Sequence, residues 1–236
     1  MNDTPPPAAL PIDGASLDLA GLEQVARAGR PVRLVESARD AVRASRRVVD
    51  AAVVRGAVVY GVTTGFGSFA DVHIPLDRLR ELQLNLLRSH AAGVGAPLGE
   101  EETRALLLLR ANVLAKGFSG VRLETLEMLV ELLNRRVHPV VPSQGSVGAS
   151  GDLAPLAHLA LPLVGEGHCR LEGRHVTGAE ALRAAGLAPV SLEPKEGLAL
   201  INGTQLMAAV GGLATAEAQR LARSADVVGA LTLDAL

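Results

Sequence analysis

The sequence predicts a mainly α-helical fold, in which a mixed N-terminal portion with short strands and loops leads into a bundle of long helices. Several segments repeat apolar residues at the three- and four-residue spacing of a helix. Aromatic residues make up only 2% of the 236 residues. Alanine, leucine and valine must therefore fill the interior, which favours close packing of helices.

The predicted elements follow one another with glycine at several of their ends. An arm over residues 1–12 is rich in proline, and a short helix over 17–28 ends at Gly29. Residues 168–177 predict a hairpin that turns at Glu172-Gly173, after which Thr177 is expected to cap a short helix. The remaining predicted helices cover 38–53, 75–90, 101–116, 123–135, 152–164 and 205–236, the last with a kink or break expected at Gly211-Gly212.

Composition and charge exclude several classes of protein. The net charge of −2 indicates neither nucleic acid nor an anionic membrane as partner. A single cysteine, Cys169, excludes an internal disulfide and fits a reducing compartment, so we expect a cytoplasmic protein. The N-terminus lacks the pattern of a signal peptide, and no apolar run has the length of a membrane span. The six histidines show no metal-ligand spacing, so no metal is expected.

The chemistry of the chain centres on residues 145–151, where three glycines and two serines occur in seven residues. Under compression, the amide nitrogen of Gly151 can attack the carbonyl carbon of Ala149, because a residue without a side chain allows close approach. Loss of water then closes a five-membered imidazolone ring. Loss of a second water from Ser150 leaves an exocyclic methylene, which is a strong electrophile. The simpler alternative is a loop whose glycines only make a turn before a helix.

Residues 148–156, Gly-Ala-Ser-Gly-Asp-Leu-Ala-Pro-Leu, resemble the signature of the aromatic amino acid ammonia-lyases. The segments from Tyr60 to Gly67 and from Leu198 to Gln205 resemble the same family, as do residues 110–120, which we assign mainly to scaffold. The resemblance implies 4-methylidene-imidazole-5-one (MIO), formed autocatalytically from Ala149, Ser150 and Gly151 without an external cofactor. It also implies an ammonia-lyase-like fold and self-association as a homotetramer.

The resemblance covers nearly the whole chain but only about the first half of a family member. It implies an arm (1–12), an MIO-bearing N-terminal domain (13–202) and the start of a central helical bundle (203–236). Missing are the segments that supply a second tyrosine, a carboxylate-binding arginine and a late glutamate in the family. An inactive truncated fragment that only packs with partners therefore stays an alternative.

Several side chains take roles from this resemblance. Tyr60 is expected to take part in proton transfer or substrate positioning, although a lone tyrosine usually reads as a half-buried core ring. Asn202 is expected beside the ring in contact with the substrate amine, although an Asn-Gly pair alone reads as a turn. Gln205 is expected to bind substrate. Asp152 is expected to cap the helix that follows it.

The substrate prediction depends on Ser89-His90. His90 falls on the apolar face of its predicted helix, where a core histidine would be the simpler interpretation. By resemblance, however, this pair faces the substrate side chain, and its hydrogen-bonding groups suit a polar imidazole ring. The resemblance therefore implies an amino acid substrate, L-histidine, deaminated to urocanate and ammonia. Phenylalanine or tyrosine ammonia-lyases and aminomutases of the same family are the alternatives.

Two other enzyme classes match the sequence less well. Gly65-x-Gly67-x-x-Ala70 is a loose form of the dinucleotide-binding fingerprint, but no repeating strand–helix units follow it. Ser150 would be the nucleophile of a serine hydrolase, but Asp152 occupies the place of the last glycine in the Gly-x-Ser-x-Gly elbow. Only the lyase interpretation predicts that the backbone loses water.

Overall fold

Helices dominate the computed structural model, which describes residues 8–65, 74–147 and 151–236 and confirms the predicted fold class. The glycine loop weighed as a dinucleotide fingerprint lies largely outside these ranges. Short 3₁₀ turns precede α3 at Leu76–Arg78 and follow α6 at Leu161–Val164. The helices are α1 (Leu19–Ala26), α2 (Glu36–Val54), α3 (Leu79–His90), α4 (Glu100–Ala115), α5 (Leu123–Asn134), α6 (Leu153–Ala160), α7 (Gly178–Ala184), α8 (Glu196–Ile201) and α9 (Gln205–Ala235).

Short strands tie the loops of the N-terminal portion together. The strands are β1 (Leu10–Ile12), β2 (Val32–Leu34), β3 (Val94–Pro97), β4 (His138–Pro139), β5 (Pro142–Gln144), β6 (His168–Leu171) and β7 (Arg174–Thr177). β1 pairs in parallel with β2, β3 pairs antiparallel with β5, and β4, β6 and β7 form a three-stranded antiparallel sheet. Residues 10–12 of the predicted arm thus form a strand, because Ile12 is buried against the core.

The core is organised around α4, which packs against α1, α2, α5 and α9. Its leucine run explains this position, since Leu106, Leu107 and Leu108 are completely buried and only Leu109 is partly exposed. A helix that is apolar on most sides must be surrounded by other elements. Two arginines of α4, Arg104 and Arg110, are buried as well.

The last helix, α9, is continuous from Gln205 to Ala235, so Gly211-Gly212 neither breaks nor ends it. Gly212 lies against α1, where an added Cβ would come within 2.7 Å of Leu22 Cδ2, so the glycine allows close helix contact. The last buried residue of α9 is Ala216. Within the described ranges, no helix combines the length and apolar character needed to cross a membrane.

Candidate active site

A backbone hydrogen bond closes the turn that contains Ala149-Ser150-Gly151. The N–H of Val147 donates to the carbonyl of Gly151 over 2.8 Å. Gly151 is buried and has a φ of +70°, a value that glycine adopts without the strain of a Cβ. Ala149 and Ser150 lie outside the described residues. The buried, positive-φ backbone at position 151 therefore suits a glycine, the residue that ring formation would require there.

The segment that contains Asn202 lies directly beside this turn. Gly151 and Gly203 form a parallel bridge, and the N–H of Asp152 donates to the carbonyl of Gly203 over 3.2 Å. Asn202 ends α8 with an extended backbone, and its side chain is exposed. Two of the predicted site segments, distant in sequence, are thus hydrogen-bonded neighbours in the fold.

Asp152 caps α9 and not α6, which corrects the prediction that it caps the helix it precedes. Its side chain makes no capping hydrogen bond to α6. Instead, Oδ2 accepts from the N–H of Leu206 (2.7 Å) and of Met207 (3.1 Å), and Oδ1 accepts from Ser146 Oγ (2.6 Å). The carboxylate is completely buried, and these three donors compensate for its loss of hydration. Asp152 therefore fastens the segment from Ser146 to Asp152 to the start of α9.

Arg110 binds the segment that contains Asn202. Its Nη1 donates to the carbonyl of Asn202 (3.0 Å) and to Gln205 Oε1 (2.6 Å), and its Nη2 donates to the carbonyl of Ala199. Only 2% of Arg110 is exposed, and burial lowers the pKa of its guanidinium to about 10. Gln205 is itself buried, and its side-chain oxygen is one of the acceptors that hold the cation.

Ser89 and His90 lie at the end of α3, and the loop that follows them contacts Gly145, just before the segment 147–151. His90 Nδ1 lies 2.9 Å from the carbonyl of Leu86. Because a carbonyl only accepts hydrogen bonds, this contact requires a proton on Nδ1, which also lies 3.2 Å from Ser89 Oγ; in the neutral ring, Nε2 is then an acceptor. The N–H of Gly93 donates to His158 Nε2 on α6 over 3.1 Å, and burial lowers the pKa of His158.

Gly93 in this loop packs closely against Gly145, which precedes the segment 147–151. A Cβ added at Gly145 would lie 3.2 Å from Gly93 Cα, so the two backbones nearly touch. His158 therefore holds the loop after His90 against the residues that begin the turn.

Tyr60 occupies a separate turn that follows α2, and 56% of the residue is exposed. Thr63 shapes this turn, because its Oγ1 donates to the carbonyl of Ala57 (2.6 Å) and accepts from the N–H of Val59 (2.9 Å). Thr63 and Thr64 are buried, which fixes the turn to the body of the protein. The role of Tyr60 stays a prediction, as do the roles of the other site residues.

Comparison with known proteins identifies the family of the chain. A family model described as aromatic amino acid lyase matches residues 17–236. The chain belongs to this family. Histidine ammonia-lyase from Gloeobacter violaceus is 58% identical over 226 residues, which cover 96% of this chain and 44% of that protein.

Two solved structures of the lyase family superpose on the chain. Histidine ammonia-lyase from Trypanosoma cruzi matches with a TM-score of 0.86 and 42% identity over 93% of this chain and 42% of that one. Tyrosine aminomutase from Streptomyces globisporus matches with a TM-score of 0.87 and 39% identity over 93% and 41%. The chain spans less than half the length of the relatives it matches.

Proposed function

We propose that this chain carries the electrophile turn and part of the substrate site of a histidine ammonia-lyase. The reaction would convert L-histidine to urocanate and ammonia without oxidation. The observation that carries the proposal is the turn at 147–151, closed by its backbone hydrogen bond and paired through Gly151 with Gly203. The names of the curated relative and of one of the two solved structures support histidine as the substrate.

Ala149, Ser150 and Gly151 would form the MIO group. When formed, this group supplies an electrophile that activates the amino group of the substrate for departure. The buried, positive-φ backbone of Gly151 fits the glycine that the cyclisation requires. The side chain of Asp152 does not cap α6, so the positive N-terminal end of α6 is left to stabilise negative charge next to the turn.

Asn202 would orient the substrate amine, because the bridge between Gly151 and Gly203 fixes its backbone next to the turn. Tyr60 would hold or move a proton, and Gln205 would support the substrate site. Ser89 and His90 would face the imidazole. With its proton on Nδ1, His90 has an Nε2 that can accept a hydrogen bond from an imidazole N–H, which phenylalanine does not offer.

The proposal extends to assembly and location. The part of α9 after Ala216 has exposed apolar residues, including Leu221, Val228 and Leu231. Exposed apolar surface of this kind marks an interface, which supports a homotetramer as in the resemblance. A cytoplasmic location is proposed on the single cysteine, Cys169, which is buried and free.

The proposal is tested by mass and by activity. A peptide covering residues 145–155 from natively folded protein should weigh two waters less than its sequence mass. Ser150→Ala, which cannot lose the second water, should lose at most one and should remove most urocanate formation from a complete enzyme that carries this chain. A full-mass peptide from active wild-type protein would overturn the electrophile. Faster turnover of phenylalanine or tyrosine than of histidine would keep the reaction class and overturn the substrate.

A further inference from the structure

We propose that Arg110 is a positioning residue that sets the place of Asn202 and of Gly203 relative to the electrophile turn. The inference rests on the proposed function for its catalytic consequence, but its structural part is independent of that function. It differs from the scaffold role that the sequence suggests for residues 110–120.

All acceptors of the Arg110 guanidinium belong to one short segment. They are the carbonyls of Ala199 and Asn202 and the side-chain oxygen of Gln205. The segment contains the end of α8 and the first residue of α9, where helix carbonyls lack their usual partners. Among the described residues, no carboxylate forms an ion pair with Arg110, and its Nε has no hydrogen-bond acceptor. A cation buried at such cost therefore makes all of its described hydrogen bonds to the chain around Asn202.

The guanidinium also packs directly on Gly203. A Cβ built at that position would overlap Gln205 Oε1 and would lie 2.6 Å from Arg110 Nη1. Gly203 is the residue that bridges Gly151 and accepts from the N–H of Asp152. Arg110 thus packs on the same glycine that bridges Gly151.

A lysine cannot replace these contacts. The planar guanidinium reaches several acceptors in a fixed fork, whereas an ammonium group is a compact charge on a flexible stem. We expect Arg110→Lys to keep the fold and to loosen residues 202–207. A displacement of about 1 Å in a positioning group costs on the order of 100-fold in rate. In a complete lyase that carries these residues, the expected fall in kcat is therefore roughly 10- to 100-fold, measured per molecule that has lost two waters from residues 145–155.

Arg104 provides a matched control on the same helix. It is 3% exposed, and it donates to the carbonyls of Val25 and Leu133, away from the turn. Arg104→Lys therefore also removes the hydrogen bonds of a guanidinium, from a site that is about as buried as that of Arg110. It should lower the free energy of unfolding in the same way as Arg110→Lys and leave kcat per ring-bearing molecule unchanged. An equal loss of kcat in both variants would overturn the proposal.

A double-mutant cycle separates positioning from general support. If Arg110 acts through Asn202, Arg110→Lys should cost little in a protein that already carries Asn202→Ala. The same fold-loss in both backgrounds would overturn the proposal and leave the proposed function intact. Should Arg110→Lys fail to fold, Gln205→Ala removes one of the three acceptors. Its smaller loss should likewise vanish in the Asn202→Ala background, and its persistence would count against the proposal.

Amide hydrogen exchange tests the structural part without an activity assay. Arg110→Lys should accelerate exchange in residues 202–207 and leave the β6–β7 hairpin as in the wild type, whereas Arg104→Lys should leave residues 202–207 unchanged. If a complete lyase that carries these residues formed no urocanate, the proposed function would fail, and exchange alone would still decide the role of Arg110. Unchanged exchange in residues 202–207 of Arg110→Lys would overturn that role.

Discussion

Asp152→Ala should be among the most destabilising single changes in the site, because one carboxylate serves three donors. The variant leaves the buried N–H of Leu206 without an acceptor and removes the bonds to Met207 and Ser146. A hydrogen bond to a charged group contributes about 1.5–3 kcal/mol. Counting only the two amide bonds, the free energy of unfolding should fall by roughly 3–6 kcal/mol.

Two milder variants calibrate this value. Asp152→Asn keeps one acceptor oxygen and a good capping side chain, so it should cost about 1 kcal/mol. Ser146→Ala removes a single bond and should cost a similar amount, about 1 kcal/mol. The assay is urea unfolding at pH 7, in which a slope of about 2 kcal/mol per molar makes the expected shift for Asp152→Ala about 2 M. A midpoint for Asp152→Ala no lower than that of Ser146→Ala would refute the capping account.

Three further outcomes are expected. Burial lowers the pKa of His138 to about 4. The stability that depends on neutral His138 is therefore complete above pH 6.5 and falls by about 3 kcal/mol as the pH drops to 4. His138→Gln should flatten this loss in urea midpoints measured between pH 4 and pH 6.5. Gly203→Ala should destabilise the protein by about 1–3 kcal/mol and reduce urocanate formation, because the new Cβ would clash with Arg110 and Gln205. Gly211→Ala should instead stabilise α9 by about 0.5–1 kcal/mol in the same unfolding assay, because its Cβ would meet nothing within 4 Å. Residues 1–236 expressed alone should associate in sedimentation experiments and show little turnover of histidine, and a monodisperse, active monomer would contradict this expectation.

Local patterns account for the parts of the fold that the sequence predicted well. The hairpin at 168–177 and the cap at Thr177 depend on neighbours within a few residues, and both are confirmed. The helix predicted over 101–116 likewise follows from the local spacing of apolar residues, and α4 confirms it. At Gly211-Gly212, propensity favoured an interruption, but contact with Leu22 explains why a glycine is useful inside a continuous helix.

The long-range polar contacts of the site could not be predicted from the sequence. The position of Asp152 directly before α6 predicts that it caps α6. Its carboxylate instead accepts hydrogen bonds from α9, because the bridge between Gly151 and Gly203 brings the two helix starts together. Arg110 lies in a segment, residues 110–120, that we assign mainly to scaffold on the sequence alone. Its acceptors become visible only when α8 packs beside α4. A buried arginine inside a leucine-rich helix was the available signal.

The cap on α9 also constrains the order of folding. Leu206 and Asp152 are 54 residues apart, so the first turn of α9 obtains its acceptor only after that whole loop has closed. Closing a long loop costs chain entropy before the contact at its ends can stabilise the chain, so contacts of this kind form slowly. The cap on the start of α9 can therefore form only after Asp152 and Leu206 have come together. Any reaction of Ala149, Ser150 and Gly151 that depends on that geometry must wait until the ribosome has released the chain through Met207.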